Sequence, residues 1–273
     1  MIGRPTTGRV FEGTRKVRLA DVSPAGRLRL DAIARFLQDL SADDTADAAL
    51  PRAEAWVVRK TVIEVRAFPQ YLEPLALATW CSGTGSHWAE RRVSIKGEGG
   101  GAAEAATTWV HLDADSGRPR RIPAGFAELY GEAAGGRRVK ARLDHPEPPD
   151  GQEASRFSWP LRFTDFDVLG HVNNAACWQM VEEALAARRD LRGPLRAEVQ
   201  HRTAIERGAA TEVAAVNVGD RMSVWVVADG ALAVTAVVAP IGEASSFASR
   251  SGLPEEPPAS DAGTTSGRGL APG

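Results

Sequence analysis

Cysteine is scarce: two in 273 residues, Cys81 and Cys177, exclude a disulfide scaffold and point to a reducing compartment. No stretch approaches the roughly 18 consecutive apolar residues of a membrane helix. The opening residues 1–7 also lack the apolar centre of a signal peptide. The expectation is therefore a cytoplasmic chain with no membrane partner. Neither sign of charge dominates, since 33 Lys and Arg against 35 Asp and Glu leave a net −2, which excludes the basic excess of a nucleic-acid binder. His87, His111 and His201 lack the mutual spacing of metal ligands, so neither a metal nor a cofactor is expected.

What is present is a globular balance, 43% hydrophobic with 25% charged, at a length suited to two domains. The chain also repeats itself. Setting Asp21 against Asp165 gives an offset of 165 − 21 = 144, which also pairs Gly26 with Gly170, Leu28 with Val172, Phe36 with Met180, Leu37 with Val181 and Asp39 with Glu183. Each copy opens on a strand-like segment, 17–19 in the first and 157–163 in the second, turns through a glycine and enters a helix. The first helix carries Ile33, Phe36, Leu37 and Leu40 at buried-stripe spacing, with Asp31 as the expected N-cap. The second is expected over about 174–189, apolar over much of its circumference.

Strand patterns follow each helix, at 57–65, 75–81, 87–96 and 103–112, then at 197–201, 211–218, 222–228 and 231–240. The expected organisation is one domain at 9–130, a Gly-, Pro- and charge-rich linker at 131–155, a second domain at 156–242 and a disordered tail at 243–273.

The chemistry concentrates in Arg162-Phe-Thr-Asp-Phe-Asp-Val-Leu-Gly-His-Val-Asn-Asn174. Asp167 and His171, separated by the turn residue Gly170, supply an acid and a base. Asn173 and Asn174 stand where backbone N–H groups of a helix start are free to meet an oxyanion. The candidate catalytic residues are Asp167, His171 and Asn173, with Gly170, Val172 and Asn174 as candidate substrate contacts. Asp167 is open to two roles, base on water or direct nucleophile. With a reference pKa of about 6.5, His171 is suited to orienting the water, sharing its proton or protonating a leaving group. At the same offset of 144 the first copy shows Ser23, Arg27, Arg29 and Leu30, so it retains none of the candidate catalytic groups. Cys177, inside an apolar helix, reads as a small core residue rather than a nucleophile.

The run from Asp167 to Asn174 resembles the D-x-x-G-H-V-N-N signature of hotdog thioesterases. Across residues 9–240 the order of elements is similar to the plant and bacterial acyl-[acyl-carrier-protein] thioesterases, with Trp80, the Trp88 to Ile95 strand, Trp109-Val-His-Leu-Asp113 and Gly117-Arg-Pro-Arg-Arg-Ile-Pro123. The resemblance implies an α+β double hotdog that hydrolyses acyl thioesters, foremost fatty acyl-carrier protein in fatty acid biosynthesis, to free acid and carrier thiol. It makes acyl-carrier protein or acyl-CoA the partner and leaves a homodimer open.

Two positions depart from the family pattern. Leu169 stands at the Asn of Asp-x-Asn-x-His, and Ala204 falls where a strand Glu belongs; Glu206, two residues on, is the candidate accessory carboxylate if the strand persists that far. The basic clusters Arg118, Arg120, Arg121 and Arg137, Arg138, Lys140 are read either as a carrier-protein surface or as a solvated linker face. An enoyl-thioester hydratase and a non-catalytic acyl-thioester binder are the alternatives.

Overall fold

The computed structural model describes residues 2–49, 55–113, 115–148, 154–188 and 190–241; the tail expected over 243–273 lies outside the described residues, as does Arg189. The first half runs β1 (Phe11–Lys16), α1 (Leu30–Asp47), β2 (Ala55–Ala67), β3 (Pro74–Thr84), β4 (Trp88–Gly97), β5 (Ala102–Leu112) and α2 (Ala124–Ala134). The second runs β6 (Ser155–Ser158), α3 (Asn174–Ala186), β7 (Leu195–His201), β8 (Thr211–Val218), β9 (Arg221–Ala228) and β10 (Ala231–Pro240).

All ten strands form one antiparallel sheet in the order β1-β3-β4-β5-β2-β7-β10-β9-β8-β6. The halves meet where β2 pairs β7, from Lys60 opposite Gln200 to Val65 opposite Leu195. Period-2 burial turns Ile63, Val65, Val199, Val224 and Val238 toward the helices. There they meet Ile33 and Leu40 of α1 and Trp178, Met180 and Val181 of α3 in a single core. Burying each such aliphatic side chain contributes roughly 1.5–3 kcal/mol. Truncating Met180 to Ala would cost about 2–5 kcal/mol, because the packed interior closes only partly around the void.

Several expectations are corrected. Asp31 is not the N-cap of α1; Arg29 is, and the buried Asp31 carboxylate is gripped by Arg29 Nε at 2.8 Å and Arg35 Nη1 at 2.8 Å. The opening strand lies at 11–16 instead of 17–19, because Asp21 Oδ2 takes the Arg18 N–H at 2.9 Å and curls residues 19–21 into a 3-10 turn. In the second copy Asp165 does the same to residues 163–165, and β6 is confined to 155–158.

Helix α2 was not foreseen. It buries Phe126, Tyr130 and Ala134 and ends at Gly135, whose φ of 56° is left-handed. The segment expected as a linker therefore begins inside a helix, and beyond it the chain is strapped to both halves. Arg137 reaches Ser82 O at 2.8 Å and Glu90 at 2.9 Å; the N–H groups of Asp144 and His145 share Gln200 Oε1 at 3.1 and 3.2 Å. Arg137 is thus committed to the sheet, and Arg120 lies 3.8 Å from Asp113. Among the described residues no helix is long and apolar enough to cross a membrane.

Candidate active site

The loops ahead of α1 and α3 share one backbone. Arg18 N and Arg162 N donate to the carboxylates of Asp21 and Asp165 at 2.9 and 2.8 Å. The carbonyls of Asp21 and Asp165 accept from Arg29 N at 2.9 Å and Asn173 N at 2.8 Å. Ser23 N and Asp167 N reach the carbonyls of Arg27 and His171 at 2.8 and 3.0 Å. Gly26 and Gly170 stand at φ of 82° and 83°, which a side chain strains to adopt. Asp165, only 2% exposed, is the anchor of this frame. Sequence reasoning used it for alignment and missed its role, although its recurrence at Asp21 was the available signal.

On this frame Asp167 Oδ1 accepts from its own loop, from Leu169 N at 2.9 Å. Asp167 and His171 are joined through the backbone, not through their side chains. The imidazole instead has Nε2 3.2 Å from Glu206 Oε1, with the two side chains 44% and 67% exposed. Glu206 arrives by an unforeseen route: β7 stops at His201, and the following loop is held against the motif by Val172 N donating to Ile205 O at 3.0 Å. Arg59 of β2 steadies the start of that loop, donating to His201 O and Arg202 O, both at 2.9 Å.

Asn173 caps α3, its Oδ1 accepting from Ala175 N at 2.8 Å, a contact worth about 1 kcal/mol. Asn174 is the first helical residue, and among the described residues its N–H has no partner. Val172 is buried in the core, whereas Leu169 is 68% exposed. Burial pushes the Cys177 thiol up to about 12, leaving it a packed thiol without nucleophilic character. Among the described residues no group of three or more His, Cys, Asp or Glu is gathered to hold a metal ion.

The first copy holds a different set on the same frame. Leu28 N donates to Pro69 O at 2.8 Å as Val172 N does to Ile205 O, so the counterpart of Glu206 is Gln70. Arg27, at the place of His171, grips Glu182 of α3 with both Nη atoms at 3.0 and 2.8 Å, and Leu30 N donates to the same carboxylate at 2.6 Å. Beside α1 lies a cavity of about 750 Å³, lined along the helix by Gln38, Ser41, Ala42, Thr45 and Ala46, and past its end by Ala49. Trp56, Trp109 and Phe126 also line it.

Two antiparallel halves, each packed around one long helix, define a protein of the hotdog fold. The family model of the acyl-ACP thioesterase N-terminal domain matches residues 8–130, and that of the C-terminal domain matches residues 149–227. The chain belongs to the acyl-ACP thioesterase family and is a thioester hydrolase, which decides against the hydratase reading. Among its relatives is the uncharacterized protein Rv2001 of Mycobacterium tuberculosis, 31% identical over 211 residues, 76% of this chain and 83% of that one. The fold is similar to the 12:0-ACP thioesterase from Umbellularia californica, with a TM-score of 0.71 at 18% identity, covering 84% of this chain and 96% of that one. It is also similar to an acyl-ACP thioesterase from Bacteroides thetaiotaomicron, with a TM-score of 0.66 at 15% identity, covering 84% and 97%.

Proposed function

We propose that the chain hydrolyses fatty acyl-carrier protein, with the single reactive site in the second half (156–242) and the first half (9–130) silent. The observation that carries this is the 3.2 Å approach of Glu206 to His171 beside an unpartnered Asn174 N–H, in a loop whose twin has neither. His171 takes a proton from water, Glu206 steadies the resulting imidazolium, and Asp167, tethered by Leu169 N–H, accepts a hydrogen bond from the same water through its other oxygen. The water oxygen adds to the thioester carbon and the Asn174 N–H receives the oxyanion. When the C–S bond breaks, the leaving thiolate takes the proton back from His171. The cavity along α1 suits the acyl chain, because the Ser41 and Thr45 hydroxyls turn back to Leu37 O and Ser41 O and its two charged lining residues, Glu90 and Arg91, are paired with Arg137 and Asp44. Free, buried Cys81 and Cys177 accord with a reducing cytoplasm.

The test is thiol release from matched acyl-carrier-protein and acyl-CoA thioesters, with preference for the carrier protein expected. Equal rates, or faster release from CoA, would remove the carrier-protein assignment. Single turnover in ¹⁸O-labelled water is expected to place label in the product acid alone. Label found in the Asp167 peptide would make Asp167 the nucleophile instead.

A further inference from the structure

In the silent copy the helix N-terminus is already occupied. Glu182 sets Oε1 2.6 Å from Leu30 N while Arg27 holds the same carboxylate. An anionic oxygen on the first N–H of a helix is the arrangement a tetrahedral oxyanion needs, so Glu182 marks that place with a resident carboxylate. The copies are related by an approximate two-fold, since the strand order is the same read from either end and β2 pairs β7 antiparallel; a contact that one copy makes to the other therefore points to the place of its mate. Applying the offset of 144 carries Leu30 to Asn174 (30 + 144) and Glu182 to Gln38 (182 − 144).

We infer that Gln38, contributed by the otherwise silent half, faces the Asn174 N–H and donates from Nε2 to the carbonyl oxygen of the thioester. This rests on the hydrolase reading of the 162–174 loop and adds a second oxyanion donor to it. Two further observations support the assignment. Among the described residues the half-buried Gln38 carboxamide has no hydrogen-bond partner. It also begins the row of α1 residues that lines the cavity, whose last helical member, Ala46, lies about 12 Å farther along the helix at ~1.5 Å per residue. An acyl chain lying in that cavity thus starts beside the group proposed to hold its carbonyl. The residue type suits this role, because a carboxamide donates to an oxyanion, whereas a carboxylate would claim the Asn174 N–H for itself, as Glu182 claims that of Leu30.

Gln38→Met and Gln38→Glu test the assignment in the full chain. All three residues are good helix formers, and an unchanged unfolding midpoint verifies that the fold persists. Gln38→Met is expected to lower kcat about 10²-fold, the cost of one oxyanion donor, and Gln38→Glu to lower it further. A second readout needs no turnover: the wild type should bind a 2-oxoalkyl-CoA, which keeps the carbonyl, more tightly than the alkyl-CoA thioether, which lacks it. Gln38→Met should erase that difference. Turnover at the wild-type rate in either variant, or an undiminished carbonyl preference in Gln38→Met, overturns the assignment. A wild type that releases no thiol yet loses its carbonyl preference in Gln38→Met would count against the hydrolase reading while leaving the carbonyl contact standing.

Discussion

The loop at 18–30 and the loop at 162–174 are superposable in their hydrogen bonds and opposed in their chemistry. Both are pinned by a buried aspartate, Asp21 or Asp165, and both turn at a glycine near φ 82°. One presents Ser23, Arg27 and Gln70, the other Asp167, His171 and Glu206. The frame and the reacting groups are therefore separable: the frame needs an acid that closes a 3-10 turn and a residue free to adopt positive φ, and it tolerates whatever stands between them. In the first loop the freed position has become a joint. Arg27 spends its guanidinium on Glu182 of the other half, a pair about one-tenth exposed, whereas His171 and Glu206 remain open to solvent.

The sharpest way to break this comparison is to exchange its consequences. His171→Ala is expected to lower kcat/KM by about 10²- to 10⁴-fold, the range of general base catalysis, with Arg27→Met leaving kcat within a small factor of wild type. A comparable kinetic loss from both would show that the first loop is not silent. In urea denaturation the order reverses. Arg27→Met removes the only cation paired with the Glu182 carboxylate among the described residues, leaving it the Leu30 N–H, and should cost about 3–5 kcal/mol, while His171→Met breaks a solvated pair worth at most about 1 kcal/mol.

Acid provides the next contrast. Burial is the larger cause, and the nearby Arg59 charge the smaller, of a His201 imidazole held down to about 4. The unfolded histidine takes its proton near 6.5, so between these values the unfolded chain binds the extra proton and acid favours unfolding. Stability should be complete above about pH 6.5 and fall by up to roughly 3 kcal/mol as pH drops toward 4. The counterpart of His201 is Val65, since 205 − 69 and 201 − 65 both equal 136. Thermal melts of His201→Val should therefore show a flatter profile across that window, and an unchanged slope would assign the acid sensitivity elsewhere. The smallest effect is a matched pair: Gly26→Ala and Gly170→Ala should each cost about 1–2 kcal/mol for the left-handed backbone, with only the second lowering turnover.

Much of this was legible in the residues. The strands at 211–218 and 231–240 coincide with β8 and β10, because alternating apolar residues bounded by turn signals leave little else for a chain to do. The offset of 144 located the loop frame, and with it the replacement of Asp167, His171 and Asn174 by Ser23, Arg27 and Leu30 in the first copy. What escaped were contacts made at a distance. Asp31 looked like a cap because caps are usually local, yet the Leu30 N–H is met by Glu182, 152 residues away. Helix α2 hid in a Gly- and Pro-rich stretch whose Phe126 and Tyr130 acquire meaning only against the sheet. Glu206 was reached for through strand periodicity and delivered by a loop.

By itself the sequence determined the two long helices, the strands that follow each of them, the duplication and the residues of the motif, since these follow from periodicity, turn chemistry and spacing along the chain. The tertiary structure alone decided that β2 pairs β7 to make one sheet, that His171 meets Glu206 instead of the Asp167 side chain, and that Arg27 closes onto Glu182. Each of those joins groups far apart in sequence or on separate loops. Their meeting depends on how whole elements pack, a quantity that no local pattern of residues contains.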